Sequence, residues 1–183
     1  MRAAKSLLLT TLAVIVICYN HKAGAAGPQS KSSGVTAVTN TVTIKGPPKA
    51  VFDLIKTARL WPQWHPATKA VGGVVERPYG LGDLIHERGQ IGSADFETTW
   101  KVVEHVRPSK IVLQSQKAPT RITYTFAAGK GTTVFTRKLE YQGENFASVK
   151  ELEKVMRDQS ERGVNQLKAL VEEILSEEAK PLT

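Results

Sequence analysis

The sequence predicts an α+β domain: a bent seven-stranded antiparallel sheet wrapped around a long C-terminal helix, with two short helices between the first and second strands. Three observations predict it. Apolar and polar residues alternate through seven short segments separated by Gly- and Pro-bearing turns, the pattern of strands with one buried face. From Ser148 onward the apolar spacing changes to that of a helix. Only that final helix is long enough to cross the sheet, and an antiparallel sheet with an apolar inner face needs such a cover.

The first element is not part of the domain. Arg2 and Lys5 form a basic start, Leu7 to Tyr19 is a 13-residue uncharged run, and Ala23-Gly24-Ala25 supplies small residues for cleavage, so residues 1–25 read as an export signal. As a helix that run would rise only about 20 Å against a hydrocarbon core of roughly 30 Å, so no stable membrane span is expected. Retention as an N-terminal anchor is the alternative. Cys18 follows Ile17 rather than a small residue, which argues against lipid attachment. Cleavage after Ala25 leaves 158 residues without cysteine, in a periplasmic or secreted setting. Neither a disulfide framework nor a cysteine-held zinc or iron–sulfur site is then available.

Residues 26–34, rich in Gly and Ser, form a leader, and 35–178 form the domain before a short tail at 179–183. Val38 to Ile44 alternates as a strand and Gly46-Pro47-Pro48 ends it, with Pro48 suited to open a helix because its missing N–H is not needed there. Val51, Phe52, Leu54 and Ile55 give that helix an apolar stripe. Arg59 to Pro66 reads as a second short helix broken at Pro62 and Pro66. Six strands follow, at Ala67–Glu76, Asp83–Gln90, Asp95–Val106, Ile111–Gln116, Arg121–Ala128 and Thr132–Tyr141, an antiparallel meander. Ser148 with Glu151 forms a capping box before a helix of about 30 residues, roughly 45 Å. Arg157 to Gly163 interrupts its stripe, so a bend or a partly solvated middle is expected.

These elements, in this order, make the chain resemble the START-like superfamily, also called SRPBCC or helix-grip, in its polyketide cyclase/dehydrase and lipid-transport branch. The resemblance runs from about Val35 to Leu175. It is carried by Pro47-Pro48-Lys49-Ala50-Val51-Phe52-Asp53-Leu54-Ile55, Leu60-Trp61-Pro62-Gln63-Trp64, Gly82, Val103-Glu104-His105-Val106-Arg107-Pro108 and Gly131-Thr132. It implies a cavity between sheet and helix for a small hydrophobic or amphipathic ligand. It does not imply one activity.

Strand phase nominates the lining. Phe96, Trp100 and Val102 share a face with Thr98, which leaves Glu97, Lys101 and His105 outside. Ile122, Tyr124 and Phe126 share another, and Phe135, Leu139 and Tyr141 a third that also contains Arg137. Ile85 and Ile91 select a phase containing Glu87, although Leu84 favours the opposite one with His86 and Arg88 inward. Phe52 of the first helix adds lining, as does Met156 of the last, which otherwise serves as core filler. Two charges in apolar phases must be paired or must meet a polar ligand. Arg137 and Glu87 therefore either orient a ligand's polar end or form an ion pair at a solvated strand end. The family layout puts Trp61, Trp64 and His65 near the entrance, as a lid or as a cap on the core.

The net charge is +8, and +5 once Arg2, Lys5 and Lys22 are removed, with the remaining basic residues scattered. No basic run interleaves with aromatics, so a nucleic-acid groove is not expected. The histidines lack ligand spacing, so no metal and no cofactor is expected. Gly129-Lys130-Gly131 and Gly80-Leu81-Gly82 lack the remainder of a phosphate-binding loop and read as turns. The reading favoured by the sequence is an exported, non-catalytic binder of a hydrophobic ligand or lipid. The alternative is a cyclase or dehydrase using His65, Glu87, Tyr124 or Arg137 as acid, base or oxyanion stabiliser. A third reading is a cell-envelope interaction protein whose cavity is incidental; the sequence sets no oligomeric state.

Overall fold

A computed structural model of the chain describes residues 35–142 and 149–180. The export segment, the leader and Ser148 of the expected capping box lie outside the described residues. The elements are β1 (Val35–Lys45), α1 (Pro48–Ile55), a single 3₁₀ turn (Ala58–Leu60), α2 (Trp61–Trp64), β2 (Thr68–Gly73), β3 (Leu84–Ile91), β4 (Ala94–Val106), β5 (Lys110–Ser115), β6 (Arg121–Ala128), β7 (Thr132–Gln142) and α3 (Val149–Glu178). All seven strands form one antiparallel sheet in the order β1-β7-β6-β5-β4-β3-β2. Every neighbouring pair except β1–β7 is consecutive in sequence, so short turns make the meander and β1 closes beside β7. This is the α+β helix-grip architecture that the sequence predicts.

Alternation holds along most of the sheet. In β7, Thr133, Phe135, Arg137, Leu139 and Tyr141 are all buried while the residues between them are half-buried. In β3 the competing phases are decided: Ile85, Glu87 and Gly89 are buried, whereas Leu84, His86 and Arg88 face out. Two departures from simple periodicity matter. The register of β4 against β5 shifts between Val102 and Glu104, so Glu104 pairs with Val112 and His105 with Ile111. That bulge reverses the phase and turns His105, expected outside, onto Phe52 at a centroid distance of 5.2 Å. β2 stops at Gly73 rather than Glu76: Gly73 has φ +79, and a Cβ there would press against the Leu84 carbonyl.

The core lies between the sheet and the helices. Phe52 packs edge-on against Phe126 at 5.1 Å, Phe126 meets Phe135 at 5.3 Å and Tyr124 meets Phe135 at 5.6 Å. α3 runs unbroken through the polar stretch where a bend or a partly solvated middle is expected, and its middle is partly solvated. Arg157, Asp158, Glu161 and Arg162 face solvent, but Ser160 and Gly163 are buried. A Cβ on Gly163 would lie 3.3 Å from the His65 ring and 3.4 Å from Pro66, so this glycine lets the helix approach the end of α2. The exposed edge of β1 is held by α3: the Lys45 amide donates to Glu172 Oε1 at 2.7 Å, and Lys168 Nζ donates to the Thr43 carbonyl at 2.6 Å. Side chains from the helix thus occupy ladder positions that another strand could otherwise take.

Candidate functional site

Glu87 and Arg137, the two charges in apolar phases, are both interior, at 6% and 3% exposure. They do not pair directly. Glu87 Oε2 accepts from Trp100 Nε1–H at 2.7 Å, and Glu87 Oε1 accepts from the Thr68 hydroxyl. Thr68 Oγ1 lies 3.2 Å from His65 Nδ1, and His65 Nε2 lies 3.2 Å from Arg137 Nη2. Arg137 Nη1–H donates to Ser160 Oγ at 2.8 Å, and Ser160 Oγ–H donates to Asn40 Oδ1 at 2.5 Å. One polar chain therefore crosses the interior through side chains of β4, β3, β2, the end of α2, β7, α3 and β1.

Local sequence explains why these groups meet. His65 follows α2 in extended conformation because Pro66 disfavours a further helical residue before it. The Thr68 amide then donates to the His65 carbonyl at 3.0 Å, which brings the Thr68 hydroxyl under the ring. Arg137 sits in the sheet between Asn40 of β1 and Tyr124 of β6 in register. Ser160 is one turn before Val164 and one turn after Met156, on the inward stripe of α3.

The chain has a direction. A guanidinium only donates, so His65 Nε2 must accept from Arg137 and the imidazole carries its proton on Nδ1. Nδ1–H then donates to Thr68 Oγ1, and the Thr68 hydroxyl donates to the carboxylate. Burial, followed by the Arg137 charge, holds the His65 imidazole well below its usual 6.5. Burial raises the Glu87 carboxyl above its usual 4.5, opposed by the Thr68 and Trp100 hydrogen bonds and by Arg137. The Tyr124 hydroxyl is likewise raised, mainly by burial, with Arg137 acting the other way.

These shifts set a pH dependence. The neutral His65 of the fold gains a proton on unfolding, so its contribution is complete above about pH 6.5 and is lost as pH falls. Glu87 has the opposite sign, since its raised carboxyl favours the fold as pH falls toward its ordinary value. Denaturant midpoints for wild type and His65→Gln should therefore diverge below pH 6.5. Wild type should lose up to about 1.4 kcal/mol per pH unit relative to the variant. Parallel curves would mean that His65 is not held neutral.

The remaining predicted lining residues are placed as follows. Trp100, Tyr124, Phe126, Phe135, Ile85 and Phe52 are buried, Tyr141 is 7% exposed, and Phe96 and Met156 are half-buried. Trp61 and Trp64 are buried in the core, Trp61 edge-on to Tyr79 at 6.0 Å and Trp64 edge-on to His65 at 5.3 Å. Sequence reasoning missed Thr68, Ser160, Asn40 and Tyr79. Asn40 and Ser160 carried a signal, as lone polar residues in apolar phases. Tyr79 carried none, because it leaves a turn to enter the core with its amide bound to the Lys56 carbonyl at 2.9 Å.

Buried polar capacity is left over. Among the described residues Arg137 Nε, Trp61 Nε1 and the Tyr79 and Tyr141 hydroxyls have no hydrogen-bond partner. A distinct, partly open pocket of about 310 Å³ lies over β2–β4, walled by outward side chains such as His86, Arg88, Glu97, Thr99 and Lys117. Among the predicted lining residues only Glu87 borders it. No three His, Cys, Asp or Glu side chains among the described residues converge as a metal site, and no helix among them is long and apolar enough to cross a membrane.

A curved sheet gripping one long helix, with a charged chain threaded through an aromatic interior, defines a ligand-binding or cyclase-like protein of the START-like fold. The chain belongs to the polyketide cyclase/dehydrase and lipid transport family, whose model matches residues 35–172. It is similar in structure to the Zhui aromatase/cyclase from Streptomyces sp. R1128, with TM-score 0.65, 13% identity, and coverage of 78% of this chain and 96% of that one. A START superfamily protein from Mycobacterium smegmatis is similar at TM-score 0.59 and 15% identity, over 75% of this chain and 98% of its own. The ginseng major latex-like protein 151 from Panax ginseng is similar at TM-score 0.59 and 12% identity, over 74% and 96%. At these identities the likeness establishes a shared fold. A comparison with curated proteins returns no match.

Proposed function

We propose that this chain is an exported binder of a small hydrophobic or amphipathic molecule. The ligand lodges between the sheet and α3 with its polar end at Arg137. The observation that carries the reading is the Arg137 Nε–H, buried in an aromatic interior and without a partner among the described residues. A buried donor left unmade costs more than a typical hydrogen bond returns, so an acceptor oxygen supplied by a ligand is favourable there. The rings of Phe52, Tyr124, Phe126 and Phe135 are in mutual contact, so a ligand binds by spreading them and replacing their contacts with its own. Export rests on the basic start, uncharged run and small residues of positions 1–25.

The test is fluorescence titration of the full chain with 2-naphthoate and with its uncharged near-isostere 2-acetylnaphthalene. Saturable binding of both is expected. Arg137→Leu should weaken 2-naphthoate by about 10- to 100-fold, the worth of a charged hydrogen bond, and leave 2-acetylnaphthalene within a few fold. Equal losses for the two probes would detach Arg137 from ligand orientation, and no binding of either would overturn the reading.

A second reading, a cyclase- or dehydrase-like enzyme, is favoured by one observation. Glu87, a buried carboxyl raised by burial and held in place by Thr68 and Trp100, has the setting of a general base. In that case turnover of a polyketide-type substrate should fall at least about 100-fold in Glu87→Gln.

A further inference from the structure

Among the described residues the interior holds one cation and one anion, linked by neutral groups. Arg137 lies on β7 and Glu87 on β3, and Thr68 and His65 join them through hydrogen bonds. On the interior side, the charged and titratable groups near Glu87 are Arg137 from β7, His65 from the end of α2 through Thr68, and Tyr124 from β6. On its other side Glu87 borders the pocket walled by His86, Arg88, Glu97 and Lys117. β2 and β4 contribute the uncharged donors Thr68 and Trp100, and α3 contributes Ser160, which accepts from Arg137. As the site stands, the pair is balanced.

We propose that the site takes up an acidic ligand together with one proton, the ligand's anionic oxygen accepting from Arg137 Nε–H and the proton settling on Glu87. The inference rests on the ligand-binding reading above and goes beyond it by assigning the ligand's charge and the residue that answers it. A second anion brought to Arg137 would leave the enclosed group of charges net negative, and an uncompensated buried charge is strongly disfavoured. The cheapest remedy is to neutralise one carboxylate with a proton from solvent. Two features select Glu87 over His65 as its seat. His65 already accepts from the guanidinium at Nε2, so a proton there would displace that donor and sit beside a cation. Glu87 lies two hydrogen bonds further along, and burial already raises its carboxyl.

The hydrogen bonds accommodate the change. Protonated Glu87 donates from Oε1 to Thr68 Oγ1, which also accepts from His65 Nδ1–H and turns its own proton off this line, while Oε2 continues to accept from Trp100 Nε1–H. No covalent bond other than the new O–H is formed or broken.

Calorimetric titration in buffers of low and high ionisation enthalpy, phosphate and Tris, counts protons taken up on binding. With the full wild-type chain at pH 7, 2-naphthoate should bind with an uptake close to one proton and 2-acetylnaphthalene with none. Across pH 6 to 8 the affinity for 2-naphthoate should fall, approaching tenfold per unit at the alkaline end, while that for the ketone stays level. Glu87→Gln should abolish both the uptake and the pH dependence. Saturable 2-naphthoate binding with no uptake and a flat profile overturns the proposal, as does uptake that persists in Glu87→Gln. Should that variant not fold, the wild-type buffer pair and pH profile decide by themselves. Absence of binding by both probes is a different result, and overturns the binding reading.

Discussion

Phe52→Ala should destabilise the fold by about 3–5 kcal/mol, read as a drop in denaturant midpoint at unchanged m-value. Phe52 is fully buried on α1 and is held edge-on by Phe126 of β6 and His105 of β4. Removing the ring loses its transfer free energy and leaves a cavity that the sheet cannot close, because β6 and β4 are each pinned by ladders on both sides. Phe52→Leu keeps most of the volume and should cost less than about half as much. A loss under about 1 kcal/mol for the alanine variant would mean that the ring is not enclosed by these partners.

The second large effect belongs to a glycine. Gly89 pairs with Thr68 of β2 and Phe96 of β4, and it is buried with its Cα against neighbouring backbone. A Cβ there would collide with the Ala67 carbonyl oxygen and come within 2.6 Å of the Phe96 ring. The ring can rotate away, but the carbonyl cannot, since it accepts from the Gln90 amide at 2.8 Å. Gly89→Ala should therefore push β2 outward and cost about 3 kcal/mol, the upper end of ordinary overpacking. It should also part Thr68 from Glu87, so 2-naphthoate affinity should fall by more than the stability loss alone explains. A variant as stable as wild type would show that β2 is free to shift at this point.

The site was partly legible in the sequence. Arg137 and Glu87 stood out because a charge in an apolar phase needs a partner. Strand phase alone pairs them either with a ligand or with each other, whereas the fold supplies two intermediaries. Thr68 was hidden because a threonine at the start of an edge strand is unexceptional. Resemblance places His65 at the entrance, but its role depends on Gly163, more than ninety residues later, allowing α3 to come close. His105 was misplaced because a bulge adds a residue without changing the hydrophobic pattern that precedes it.

Taken alone, the chain determined the element order, the antiparallel meander, the covering helix and the inward face of most strands. Each of these follows from short-range periodicity, since a strand repeats every two residues and a helix every 3.6. Only the tertiary structure decided which inward polar groups meet. That choice depends on strand register, one bulge and the approach of α3, and these are fixed by packing between residues far apart in sequence. Periodicity records the direction in which a side chain points, whereas a hydrogen bond requires a partner at about 3 Å.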